Sequence, residues 1–186
     1  SYTSSNARMI SAYLRAYQVL GDPHFRALAL GVLDLLYAER YKSGLGMARL
    51  VVEEEPRVFG LLEDQVAFVR ALCDGFQSTG ARRYLQRAEA LVADLISGLG
   101  DSAGGGFYDR PQSSPKLGLL RMPYKPLETN LRASLVLSEL FYLTGQPLYR
   151  NQSERALRFV LSTEAALPLA SLGSAVDRLT RYPVHV

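Results

Sequence analysis

The chain has 186 residues, 48% of them apolar, and its 21 basic and 18 acidic residues leave a formal charge of +3. Such a composition builds a core and excludes disorder, and a charge scattered along the chain argues against a nucleic-acid partner. One cysteine, Cys73, supplies no intrachain disulfide or CxxC pair, and no apolar run approaches the roughly 18–20 residues of a membrane span, so the expected location is cytoplasmic and off the membrane.

The opening Ser1-Tyr2-Thr3-Ser4-Ser5-Asn6 is polar and leads straight into a helix, as expected of a C-terminal piece of a longer protein. From Met9 the apolar positions Ile10, Tyr13, Ala16, Tyr17 and Leu20 recur at three and four. Gly21-Asp22-Pro23 stops this helix and starts the next, with Asp22 as N-cap and Pro23 at the first helical position. The second helix is predicted to bury Phe25, Leu28, Ala29, Val32, Leu33 and Leu36. In the connection Tyr41–Leu62, Met47–Val52 and Val58–Leu61 are predicted to pair as a short β-ribbon around an acidic tip, Glu53-Glu54-Glu55-Pro56.

A second helical pair follows, with one stripe of Ala67, Phe68, Ala71, Leu72, Gly75 and Phe76, then Gly80, then a stripe of Tyr84, Leu85, Ala88, Leu91, Val92 and Leu95. Cys73 faces the core as a small hydrophobe. Arg82, Arg83 and Arg87, the one candidate basic patch, read as a solvated outer surface. The connection 98–127 holds Gly104-Gly105-Gly106-Phe107-Tyr108-Asp109 and Leu119-Leu120-Arg121-Met122-Pro123-Tyr124-Lys125. The third pair runs Leu131–Thr144 and Leu148–Leu161 around Gly145-Gln146-Pro147, and Leu167–Leu179 is predicted as a seventh helix.

Setting Gly21, Gly80 and Gly145 equal aligns Met9 with Phe68 and Ala133, Tyr17 with Phe76 and Phe141, and Phe25 with Tyr84 and Tyr149. The small residues Ala29, Ala88 and Ser153 also coincide, which lets paired helix backbones approach. Because the fifth helix is apolar on nearly every side, the first helix of each pair is expected inside and the second outside. The predicted fold is therefore all-α, one domain over 1–186: three consecutive αα-hairpins, six or seven helices, forming part of an (α/α)6 toroid. Inner helices left uncovered on an incomplete ring predict self-association.

Both long connections enter the N-terminal ends of first helices, which makes that end the favoured functional face. Asn6, Gln65 and Asn130 share a repeat position, fifteen residues before their glycines, and offer either helix capping or a polar floor for sugar hydroxyls. Asp64, Asp109 and Glu128 are the candidate catalytic carboxylates, since glycoside hydrolysis needs a pair flanking the sugar. Glu63, Tyr108, Arg121 and Lys125 complete the candidate binding set, the two basic residues as holders of an anionic group beside Tyr124. His24 and His185 fall on no inner helix, no metal-ligand spacing exists, and Gly104-Gly105-Gly106 lacks the surroundings of a phosphate loop, so no cofactor is expected.

Thr3-Ser4-Ser5-Asn6, Leu62-Glu63-Asp64-Gln65-Val66-Ala67-Phe68, Tyr84-Leu85-Gln86-Arg87-Ala88, Gly104-Gly105-Gly106-Phe107-Tyr108-Asp109, and Asn130 ahead of Leu143-Thr144-Gly145 together resemble the C-terminal region of the YyaL-like family. The resemblance spans nearly the whole chain. It implies a six-hairpin-glycosidase toroid similar to N-acylglucosamine 2-epimerases, a sugar-like small molecule as ligand, and an N-terminal thioredoxin-like domain in the parent protein. The chain departs from the family at Ser5, where the family has Trp, at Gln65, where it has an aromatic or His, and at Pro126-Leu127-Glu128-Thr129-Asn130. The implied role is a carbohydrate-type binding or glycosidase/epimerase-like module, and the competing expectation is a helical-repeat module that packs on another domain or subunit.

Overall fold

A computed structural model describes residues 2–112 and 122–163, with 173, 176 and 177; the expected helix Leu167–Leu179 lies almost wholly outside them. Among the described residues six helices are found: α1 (Thr3–Leu20), α2 (Pro23–Arg40), α3 (Leu62–Thr79), α4 (Arg82–Leu99), α5 (Leu127–Thr144) and α6 (Pro147–Leu161). Between α2 and α3 a small antiparallel sheet runs in the order β1 (Tyr41–Lys42), β2 (Gly46–Val52), β3 (Glu55–Phe59). The chain forms two compact units, Ser1–Leu99 and Gly100–Val186.

The repeat is realised at its turns. α1, α3 and α5 each have 18 residues and end on Gly21, Gly80 and Gly145 with φ of 73°, 68° and 72°. Each glycine N–H returns to the carbonyl of the aromatic four residues back: Tyr17, Phe76 or Phe141. Only glycine takes this left-handed cap without a steric cost. Asp22 caps α2 as predicted, accepting from the His24 N–H at 2.9 Å. The small positions Ala29, Ala88 and Ser153 are all buried, and Ser153 Oγ donates to the Ser134 carbonyl at 2.7 Å to join α6 to α5.

In the first unit α3 is central, with α1, α2 and α4 packed around it. Phe68, Val69, Ala71, Leu72 and Cys73 are fully buried and a stripe of Glu63, Ala67, Arg70, Asp74 and Gln77 is open in part, so α3 is covered over most of its surface, as expected of an inner helix. α1 is not. Its buried face is Ala7, Ile10 and Leu14, while Met9 and Leu20 of the predicted stripe are exposed. The contact with α2 and α3 reaches one side of α1 only, and the sequence stripe spread beyond it. Leu28, predicted buried in α2, is likewise exposed.

The ribbon also differs in its details. Val52 pairs with Glu55 and Val51 with Pro56, so the tip is the two-residue turn Glu53-Glu54, with φ of 50° and 65°. Positive φ at both turn positions matches the twist of a hairpin, which draws Glu55 and Pro56 into the strand. β1 carries no signal in the sequence, because two residues have no periodicity. It is anchored from α4: Asp94 accepts from Tyr41 Oη and the Gly44 N–H, both at 3.0 Å. Burial and the Asp94 carboxylate push the Tyr41 hydroxyl up to about 12.

The second unit is the α5–α6 hairpin with the segment that leads into it. α5 buries residues on nearly every face, among them Leu131, Ala133, Val136, Leu137 and Leu140, and Leu157 and Val160 of α6 pack with Leu131. Arg82 and Arg83 of the basic patch are exposed, as a solvated outer surface requires, while Arg83 and Arg87 also pair with Asp34 and their guanidinium groups lie over the Tyr84 and Tyr37 rings.

Candidate functional site

Gln65 and Asn130 do the same job in the two units. Gln65 Oε1 accepts from the Met47 N–H at 2.8 Å, and its Nε2 donates to the Met47 carbonyl at 3.1 Å and to the Leu61 carbonyl at 3.3 Å. Asn130 Oδ1 accepts from the Phe107 N–H at 2.6 Å, and its Nδ2 donates to the carbonyls of Phe107 and Pro126, each at 2.9 Å. Each amide thus pairs with one loop residue as a neighbouring strand would, and also satisfies the carbonyl four residues back. Both side chains are buried. They are neither free for a ligand nor caps of helix N–H groups; they hold the two long connections against the helices that follow.

The clamped residue follows a glycine in each case, Gly46 (φ 77°) and Gly106 (φ 71°). A Cβ on Gly106 would lie 2.9 Å from Asn130 Oδ1 and 2.8 Å from Phe159, and one on Gly46 would overlap Gln65 Oε1. Glycine is needed at both places for the approach and for the backbone angle. Asn6, at the same repeat position, makes among the described residues only the bond to the carbonyl four residues back, from Nδ2 to Tyr2 at 2.7 Å.

Asp64 is buried at the start of α3, where Oδ1 accepts from the Ser4 N–H at 2.9 Å and so caps α1 from the neighbouring helix. Among the described residues its Oδ2 takes no hydrogen bond, and it sits 3.5 Å from Arg49 Nη1. Burial pushes this carboxyl up, outweighing Ser4 and Arg49, which pull it down. Glu63 points outward, 2.6 Å from Arg8 Nη2 and 3.9 Å from Arg49 Nη2. Arg49 lies 5.0 Å from the centre of the exposed Tyr2 ring. Arg8, Glu63, Arg49 and Asp64 therefore form one charged chain beside an aromatic ring, at the N-terminal ends of α1 and α3. Tyr2, Arg8 and Arg49 were missed in the sequence because single residues on separate elements carry no shared spacing.

In the second unit the candidates are engaged one by one. Asp109 is held by Arg110 at 2.8 Å, and the highly exposed Glu128 pairs with Arg132 at 2.5 Å. Lys125 donates to Asp101 and to the Gly105 carbonyl, both at 2.9 Å, with its ammonium 4.1 Å from the Phe159 ring centre and 5.6 Å from that of Tyr108. Arg121 lies outside the described residues. Among the described residues no cluster of His, Cys, Asp and Glu fits a metal ion, and no helix is long and apolar enough to cross a membrane.

The Lys125 contact, with two backbone N–H groups, brings the Asp101 carboxyl down to about 2. A depressed carboxylate stabilises the fold above its unfolded value near 4, and that contribution fades as pH falls toward 2. Lys125→Met is expected to cost about 1–2 kcal/mol at neutral pH, after allowance for partial exposure. Urea titrations of both proteins across this range are expected to converge on acidification, and a constant gap would assign the effect to Gly105 and Phe159 instead.

Paired helices joined at left-handed glycines define the αα-hairpin class of which (α/α)6 toroids are built, and among the described residues six helices with a small three-stranded sheet match part of such toroids. Among solved structures the chain is similar to cellobiose 2-epimerase from Spirochaeta thermophila, at 21% identity and a TM-score of 0.73 over 87% of this chain and 43% of that one. It is also similar to a family 76 mannosidase from Bacteroides thetaiotaomicron (15%, TM-score 0.70, 86% and 44%). A third is an inactive α-1,6-mannanase variant from Salegentibacter in complex with α-1,6-mannotriose (12%, TM-score 0.72, 90% and 49%). The chain spans less than half the length of each. The sequence matches no protein-family model and no curated protein.

Proposed function

We propose that the chain is a carbohydrate-type binding module of the glycosidase and epimerase toroid class, with its ligand patch formed by Tyr2, Arg8, Arg49 and Glu63. The observation that carries this reading is the exposed Tyr2 ring beside a guanidinium and an outward carboxylate. An aromatic face packs on the C–H side of a sugar ring, while carboxylate and guanidinium groups take its hydroxyls. The patch lies at the N-terminal ends of α1 and α3, where the loop carrying β2 and β3 enters α3, and the similar structures are an epimerase, a mannosidase and a mannanase.

Hydrolysis is the second reading. The inactive mannanase variant carries replacements at two consecutive aspartates, and Glu63-Asp64 is a consecutive acidic pair held in contrasting surroundings, one outward and one buried. Asp64 is already occupied in capping α1, which is why binding ranks ahead of catalysis. The resemblance to the YyaL-like family extends the proposal to a parent protein with a thioredoxin-like domain.

The test is a calorimetric and thermal-shift screen with mannose- and glucose-based oligosaccharides. Saturable binding is expected, lost in Tyr2→Ala and weakened at least tenfold in Glu63→Gln, the scale of one charge-assisted hydrogen bond. No response to any sugar overturns the proposal; loss in Glu128→Gln with Tyr2→Ala unaffected moves the site to the second unit.

A further inference from the structure

Arg49 differs from the other sheltered guanidinium groups of its unit. Arg26, Arg40, Arg70 and Arg87, which are buried or half-buried, each donate a hydrogen bond to a neighbouring side chain. Arg49 is half-buried on β2 and among the described residues donates none. Asp64 Oδ2 at 3.5 Å and Glu63 Oε2 at 3.9 Å attract its charge without taking a hydrogen bond. The donors of a planar fork are therefore left to whatever meets the patch.

The two carboxylates, by contrast, are engaged elsewhere. Asp64 is fully buried and gives Oδ1 to the Ser4 N–H, while Glu63 gives Oε1 to Arg8 at 2.6 Å. A third guanidinium, Arg40, is buried with Nη1 donating to Thr3 Oγ1 at 3.0 Å, beside Ser4. Arg8, Arg40 and Arg49 thus stand against Glu63 and Asp64, and the group as a whole has one positive charge in excess. Its accessible edge carries Arg8, Arg49 and the exposed Tyr2 ring, whose centre is 5.0 Å from the Arg49 guanidinium carbon.

On the sugar-binding reading of this patch, which the inference requires, we propose that the ligand is an acidic sugar, a uronate unit whose ring lies against Tyr2 and whose carboxylate takes the paired N–H groups of Arg49. A carboxylate meets a guanidinium fork with two parallel bonds, whereas a neutral hydroxyl takes one N–H and leaves the excess charge unpaired. The C6 carboxylate of a uronate projects from the edge of the sugar ring, and the spacing of Arg49 from Tyr2 is within the width of one such unit. Glu63 and Arg8 remain for the hydroxyls, the first accepting and the second donating.

The test compares β-1,4-linked mannotriose, trimannuronate and the methyl ester of trimannuronate, which share one backbone and differ at C6, by calorimetric titration into the 186-residue chain. Trimannuronate is expected to bind about tenfold more tightly than either uncharged ligand at low ionic strength, the scale of a charge-assisted contact. Raising the salt is expected to shrink that advantage, because exposed charge is screened. Arg49→Gln is expected to abolish the preference. Arg49→Lys keeps a positive charge beside the buried Asp64, and so the fold, and is expected to cut the preference roughly threefold because an ammonium has no paired fork. Equal affinity for acid, ester and neutral sugar overturns the inference and leaves the sugar-binding reading standing, whereas no binding of any of them overturns both. A preference that survives intact in both Arg49 variants puts the carboxylate on another group and overturns the assignment.

Discussion

Asn130→Ala is expected to destabilise the protein by about 3–5 kcal/mol, the combined cost of leaving buried backbone partners unpaired. The change removes the three bonds that tie the Phe107 N–H, the Phe107 carbonyl and the Pro126 carbonyl to α5, and the alanine reaches none of them. Phe107 is almost fully buried, so water does not replace the lost partners without opening the segment. The expected readout is a lower urea midpoint, with fast hydrogen exchange at the Phe107 amide even under native conditions. A loss below about 1 kcal/mol, the net worth of a single ordinary hydrogen bond, would mean that Phe107 is held by its apolar contacts alone.

Gly46→Ala carries the second large effect, about 2–4 kcal/mol from a strained backbone and an overpacked contact combined. The positive φ of 77° is costly for any residue with a Cβ, and that Cβ would collide with Gln65 Oε1. The two causes separate in a double-mutant cycle. In a Gln65→Ala background the collision disappears and the backbone cost remains, so the two changes are expected to couple by at least about 1 kcal/mol. Strict additivity would show that Gln65 yields freely and that the glycine serves only its turn.

These effects fall on two of the three amides whose shared repeat position suits a sugar-binding floor by residue type alone. Repeat alignment brought Asn6, Gln65 and Asn130 to one position, and the structure gives that position one job, from the shared bond four residues back to the loop pairing in two of the three copies. An amide at a helix start serves a cap, a ligand or a neighbouring loop equally well by residue type. The choice depends on what lies 2.6–3.1 Å from its Oδ1 or Oε1 and its Nδ2 or Nε2. The tell-tale partners, Gly46-Met47 and Gly106-Phe107, are 18 and 23 residues away on loops of unequal length. No fixed spacing marks them.

Helix existence, turn chemistry and pairing were written in the sequence, because apolar spacing, Asp22-Pro23 and the three glycines act over a few residues. Which face of α1 is buried was not, since Met9 and Leu20 are as apolar as Ile10 and Leu14 and only the placement of α2 and α3 selects among them. The fate of the carboxylates was decided in the same way. Asp64 and Glu63 are neighbours in the chain, yet one lies buried on the Ser4 N–H with its proton held more tightly, and the other faces Arg8 at the surface. Local chemistry is fixed by neighbours in sequence, whereas desolvation and charge pairing are fixed by neighbours in space, and α1 and β2 supply those only once the chain has folded.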